Sequence, residues 1–209
     1  SGNLVTNSTW DDFWLNEGFT VYFEFRIMEE LYGKEVSEML AALSIQDLYQ
    51  TMEELDPIDT HLKLQLTNRN PDDGMNDVAY NKGYWLLRTI EERVGRQKMD
   101  AFLNRYFSEH AFGVMNTEQF LVLAKKELLD PGSYRYIAPE NWIYQPGVPK
   151  NAYPIVSKKI TETDDWIGRC NEEGSVVKQL PWKDWSYQQQ YRFLTNWKCP
   201  NAQKLLEFN

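Results

Sequence analysis

The chain is poor in the residues from which metal sites and disulfide frameworks are usually built: its 209 residues include two cysteines, Cys170 and Cys199, and two histidines, His61 and His110. Two cysteines this far apart make neither a disulfide framework nor a C-x-x-C metal site. The histidines stand 49 positions apart and cannot form a three-histidine site, so any metal chemistry leans on carboxylates or on residues outside this sequence. Basic residues are also in deficit, 22 against 31 acidic ones, for a net charge of −9. Affinity for a phosphate backbone comes mostly from lysine and arginine, so no nucleic acid is expected as a main partner. No apolar run reaches the roughly 18 residues of a membrane span, and Ser1-Gly2-Asn3-Leu4 has no charged-then-apolar signal pattern. What the chain does have, 42% hydrophobic and 14% aromatic residues, is the composition of a folded protein with a sizeable core.

Phe19, Tyr22, Phe23, Ile27 and Leu31 recur at three- and four-residue steps up to Gly33, which predicts a helix opening near Asn16. A second helix is expected over Val36 to Leu55, with Leu40, Leu43 and Leu48 inward and Pro57 stopping it. His61 to Leu66 alternates like a short strand, and Asn68 to Gly74 is a polar turn that could line a cleft. Further helices are expected over Asn76 to Val94, on to Phe107, and from Asn116 or Thr117 to just before Pro131. Residues 1–135 are thus expected to be almost wholly helical. Three prolines and a glycine between Ala138 and Pro149 predict a linker over 136–156. In 157–209, helices are expected over Thr161 to Glu173 and Trp182 to Trp197, in a segment holding Trp166, Trp182, Trp185 and Trp197.

Four residues are candidates for chemistry. Glu17, in Trp14-Leu15-Asn16-Glu17-Gly18-Phe19-Thr20, sits in the first turn of a helix, where it either complements the helix dipole or ligates a metal. Glu24 lies two turns on, on the same face, either on a solvated edge or orienting such a ligand. Tyr80, in Val78-Ala79-Tyr80-Asn81-Lys82-Gly83, is a core or rim tyrosine or a phenol donating to a developing oxyanion. Asp72, in the polar turn, could bind a substrate amine or simply belong to an ordinary turn.

The opening Gly2-Asn3-Leu4-Val5-Thr6 and the run Trp10-Asp11-Asp12-Phe13-Trp14-Leu15-Asn16-Glu17-Gly18-Phe19-Thr20-Val21-Tyr22 resemble the gluzincin zinc aminopeptidases. The segments around Tyr80 and Trp142-Ile143-Tyr144-Gln145-Pro146-Gly147-Val148-Pro149 resemble the leukotriene hydrolase/aminopeptidase branch in particular. The resemblance implies a mainly α fold: the helical lobe of a thermolysin-like zinc peptidase catalytic domain, then the first helices of an armadillo-like C-terminal domain, where Leu180-Pro181-Trp182-Lys183-Asp184-Trp185-Ser186 falls. It implies Zn2+ as cofactor and peptides with a free N-terminus as substrates. Glu17 is implied as the zinc-binding glutamate, Tyr80 as the oxyanion-steadying tyrosine, Asp72 as a cleft-lining residue and Glu24 as a neighbour of the ligand.

In that family an H-E-x-x-H segment supplies two zinc-binding histidines and a general-base glutamate. The family spacing puts the second histidine about three positions before Ser1. The chain is therefore expected to be a piece of a larger enzyme, inactive alone and weak in zinc binding. Two alternatives stand beside this. One is an epoxide hydrolase using the same zinc site, disfavoured because Met75 replaces a tyrosine often found there. The other is a non-catalytic helical interaction module with the tryptophan-rich C-terminal region as its binding surface.

Overall fold

The computed structural model describes residues 1–198, and the chain divides into two units, Ser1–Ile155 and Val156–Asn209, each with its own apolar core. The first unit is built on α1 (Trp14–Tyr32), α2 (Lys34–Glu54), α3 (Gly83–Val94) and α4 (Arg96–Glu109). Gly33 joins α1 to α2 and Gly95 joins α3 to α4, each at φ 86°, a left-handed conformation that side chains rarely adopt. A single glycine thus reverses the chain without a loop. Core packing centres on aromatic rings: Phe19 stacks on Tyr106 at 5.4 Å and meets Phe120 edge-on at 5.8 Å.

Of the α1 positions expected to face inward, Phe19 and Tyr22 are buried, whereas Ile27 and Leu31 are 56% and 64% exposed. The inward face turns past Phe25, whose carbonyl accepts the Ser37 hydroxyl at 2.7 Å where α2 packs back. Ile27 instead lines a groove of about 760 Å³ between α1 and α4, with Phe23, Leu103 and Phe107.

The alternation at residues 61–66 is real, with Leu62, Leu64 and Leu66 all buried, but it forms no strand. The amide of Lys63 donates to the Ile143 carbonyl, that of Leu64 to the Asp11 carbonyl and that of Leu66 to the Asp11 carboxylate. With those partners the segment needs no neighbouring strand. The strands that do form, β1 (Val5–Asn7) and β2 (Gly113–Met115), make a short parallel pair with Val5 opposite Gly113.

Helix α5 (Thr117–Leu123) opens on a capping box between Asn116 and Gln119 and runs into a π-turn, Ala124–Leu128. Of the segment 136–156, expected as a linker, residues 136–155 fall within the first unit and Val156 opens the second. Helices α6 (Pro131–Ile137) and α7 (Pro139–Tyr144) start on prolines, which suit the first helical position because no amide hydrogen is needed there. Trp142 and Ile143 of α7 are fully buried.

Asp12 is buried and ties the start of α1 to α5. Its carboxylate accepts the Thr117 amide at 2.9 Å, the Thr117 hydroxyl at 2.7 Å and the Thr9 hydroxyl at 2.8 Å, with the Lys63 ammonium at 3.2 Å. Burial raises the pKa of this carboxyl, but these donors and Lys63 outweigh it and leave the group below its ordinary value. The Trp14 indole donates to the same Thr117 hydroxyl at 3.0 Å.

In the second unit α8 (Lys158–Glu172) and α9 (Tyr187–Asn196) are both capped by serine, Ser157 and Ser186. Trp185 and Trp197 are buried with Phe193, Ile167 and Val177, and Trp166 and Trp182 pack half-buried against them. These tryptophans are the unit's core, not the exposed surface the interaction-module alternative required. Cys199 lies outside the described residues.

Candidate functional site

The entrance to α1 is fastened before Glu17 is reached. Trp10–Asp12 form a 3-10 turn, Phe13 follows, and Trp14 is anchored through Thr117. Asn16, expected as the helix cap, lies inside α1, which begins at Trp14. Its side-chain oxygen instead accepts the Asn7 amide at 2.9 Å and pins β1 to the helix. Glu17 follows, half-buried, and its carboxylate accepts no hydrogen bond among the described residues. Burial raises its pKa, and the charge of the Ser1 ammonium only partly offsets this.

Tyr80 arrives from a different element. The helix expected from Asn76 begins as a π-turn, Val78–Lys82, in which the Gly83 amide reaches back to the Val78 carbonyl. Asp77 secures its start, accepting the Thr51 hydroxyl at 2.6 Å and the Asn81 amide at 3.1 Å. The Tyr80 ring packs edge-on against Phe13 at 5.9 Å. Burial and the negative charge of Glu17 both raise the pKa of its phenol, so the two groups are within electrostatic reach.

Two glycines make that approach possible. A Cβ on Gly18 would lie 2.9 Å from the Gly83 Cα, and one on Gly83 would lie 2.9 Å from the Gly18 Cα, so the backbones touch where α1 crosses the start of α3. Glu17 precedes one glycine, and Tyr80 lies one turn before the other. Gly18→Ala should destabilise the chain by about 1–3 kcal/mol, because rigid backbone and not a flexible side chain blocks the new methyl. A urea titration of the variant checks this, with an unchanged midpoint as the contrary result.

Asp72 lies on an exposed 3-10 turn, Pro71–Gly74, packed beside the Trp10–Asp12 turn that leads into Phe13. Glu24 is exposed on α1 and makes no hydrogen bond to Glu17. No group of three or more histidine, cysteine, aspartate or glutamate side chains arranged for a metal occurs among the described residues. Glu17 is half-buried and acidic and accepts no hydrogen bond among the described residues. The groove between α1 and α4 contains none of Glu17, Tyr80 or Asp72.

Lys82 was not singled out by sequence reasoning, since a lysine in a helical stretch reads as solvated. It is fully buried, its ammonium donating to the Thr60 carbonyl at 2.6 Å and the Gln145 carbonyl at 3.2 Å, with no ion pair among the described residues. Burial lowers its pKa to about 7. Unfolded lysine keeps its proton up to its ordinary value of 10.5, so between these values the unfolded chain binds more protons and stability rises with pH. Unfolding midpoints measured between pH 7 and 10 should show this rise, and Lys82→Met should flatten it.

Residues 1–130 match the model of the peptidase family M1 domain. Leucine aminopeptidase 2-1 of Scheffersomyces stipitis is 37% identical over 173 residues, covering 71% of this chain and 27% of that protein. Leucine aminopeptidase 2-2 of the same yeast is 34% identical over 208 residues, covering 85% of this chain and 31% of the relative. Among solved structures, native yeast LTA4 hydrolase superposes with a TM-score of 0.77 at 29% identity, over 93% of this chain and 33% of the other. An M1 zinc metallopeptidase from Deinococcus radiodurans shares the fold, with a TM-score of 0.56 at 23% identity, over 74% of this chain and 32% of its own. The chain thus spans about a third or less of these proteins, and its mainly helical structure is that of their helical lobe. The family domain matched over residues 1–130, with the aminopeptidase relatives beside it, leads to one identification: the chain belongs to the peptidase family M1.

Proposed function

We propose that this chain is the helical part of a zinc metallo-aminopeptidase that removes N-terminal residues from peptides, Glu17 contributing a zinc ligand and Tyr80 a catalytic hydroxyl. The observation that carries this reading is the Gly18–Gly83 contact, which sets a hydrogen-bond-free carboxylate beside a phenol held in a π-turn. In this reading Ser1–Ile155 belongs to the catalytic domain and the unit from Val156 opens a helical C-terminal domain.

The residues present fit zinc in part. Glu17 is an oxygen donor of the right kind, and two histidines and the general-base glutamate are assigned to an H-E-x-x-H segment preceding Ser1 in the full-length protein. Zinc, when bound, supplies Lewis acidity that polarises a carbonyl and makes water a usable nucleophile near neutral pH. Glu17, in the first turn of α1, would be this chain's ligand to the ion. The Tyr80 hydroxyl, protonated at neutral pH as any tyrosine is, would donate a hydrogen bond to the oxygen on which charge develops; burial and Glu17 raise its pKa further. Asp72, exposed on the turn Pro71–Gly74, would attract the free ammonium of a peptide substrate. Epoxide hydrolysis at the same site is disfavoured by Met75, half-exposed next to that turn.

The isolated 209-residue chain should bind zinc weakly and leave an aminoacyl anilide uncut, while the full-length protein does both. Zinc titration by calorimetry, paired with an anilide assay, tests this. Stoichiometric zinc and turnover from the isolated chain would contradict the assignment of ligands outside it.

A further inference from the structure

We propose that Lys82 is a positioning residue for Tyr80: its ammonium, bridging the Thr60 and Gln145 carbonyls, holds Val78–Lys82 in π register and so keeps the phenol turned toward Glu17. This rests on the reading of Tyr80 given above and adds to it the group that sets its orientation. A π-turn is intrinsically less favourable than an α-turn and persists where surrounding contacts impose it. Three contacts do so here. Asp77 fixes the start through Thr51 and Asn81, and Gly83 is pressed against Gly18 at the end. Between them Lys82 is the one long side chain of the turn driven fully into the interior.

The carbonyls that receive Lys82 are themselves fixed. The Thr60 hydroxyl donates to the Pro57 carbonyl at 2.7 Å and accepts the Gly147 amide at 2.8 Å, which locks residues 57–60 to the segment after α7. Burying an ammonium without a carboxylate is costly. The position therefore gains little as a source of stability, and what it does achieve is register. Reversion to an α-turn shifts the register by one residue, a rotation of about 100° around the helix axis, which would carry the Tyr80 hydroxyl off Glu17. His61, next to Thr60, is the other titratable group that responds to Lys82: burial lowers its pKa first, and the lysine's charge lowers it further against Asp59.

The test reads the Tyr80 phenol directly, without turnover. With 3-fluorotyrosine placed at position 80, fluorine NMR follows its ionisation in the chain itself. The pKa should fall toward that of free 3-fluorotyrosine in Lys82→Met, as the ring leaves its partly buried place against Phe13. Thr60→Val, which loosens the carbonyl cradle and spares Lys82, should shift it in the same direction by less. Leu128→Ala, a buried substitution away from the turn, should leave it unchanged, which separates positioning from general loss of stability. Should Lys82→Met not fold, Thr60→Val decides. An unchanged phenol titration in every folded variant of Lys82 and Thr60 overturns the proposal. If the phenol shifts while Tyr80→Phe leaves turnover of the full-length enzyme intact, the positioning stands and the catalytic role of Tyr80 falls.

Discussion

Glu17→Gln in the full-length protein should release most of the zinc and take peptide hydrolysis with it. The amide is nearly isosteric with the carboxylate, so the helix entrance fixed by Trp14 and Asn16 is undisturbed and the fold survives. What is lost is the negative charge. No hydrogen-bond donor among the described residues compensates Glu17, and a half-buried anion in that condition is stabilised most by a cation. Metal analysis of the purified variant, alongside its circular dichroism, checks the expectation. A variant that keeps a full equivalent of zinc would show that Glu17 only complements the dipole of α1.

Tyr80→Phe should have the opposite profile: zinc retained, KM little changed, and kcat lowered about 10²–10³-fold, the loss typical when one donor to a developing oxyanion is removed. The reasoning is geometric. The ring remains packed against Phe13 and the π-turn remains held by Asp77 and Lys82, so only the hydroxyl disappears. An interaction made chiefly in the transition state appears in kcat and leaves substrate binding intact. Equal kcat values in variant and wild type would remove Tyr80 from the chemistry.

Much of this was legible in the sequence because it depends on local patterns. Helical periodicity and the glycines ending α1 and α3 mark the helical frame, and the long motif around Glu17 marks candidates for the site. The remainder depends on partners distant in the chain. Leu62, Leu64 and Leu66 alternate as a strand would, but the groups their backbone meets belong to Asp11 and Ile143, which no local pattern shows. Prolines at 139, 146 and 149 read as breaks, yet Pro139 starts α7 and carries Trp142 into the core. The tryptophans of the second unit left a binding surface open as an alternative, because composition does not reveal which face is covered. Lys82 was the largest omission. Its residue type argues for solvent, and only the convergence of Thr60 and Gln145 on one buried ammonium shows otherwise. Gly18 and Gly83 were each visible as places where backbone could come close, but that they meet each other is a fact of the fold.

In the proposed reading Glu17 would hold zinc, with Tyr80 as the catalytic hydroxyl at the same site. Anomalous diffraction at the zinc edge from crystals of the full-length protein tests it most directly. The account predicts one strong peak on the Glu17 carboxylate, on the side of α1 that faces the Tyr80 hydroxyl. A peak bound by other residues, with Glu17 and Tyr80 facing solvent or each other alone, would contradict it.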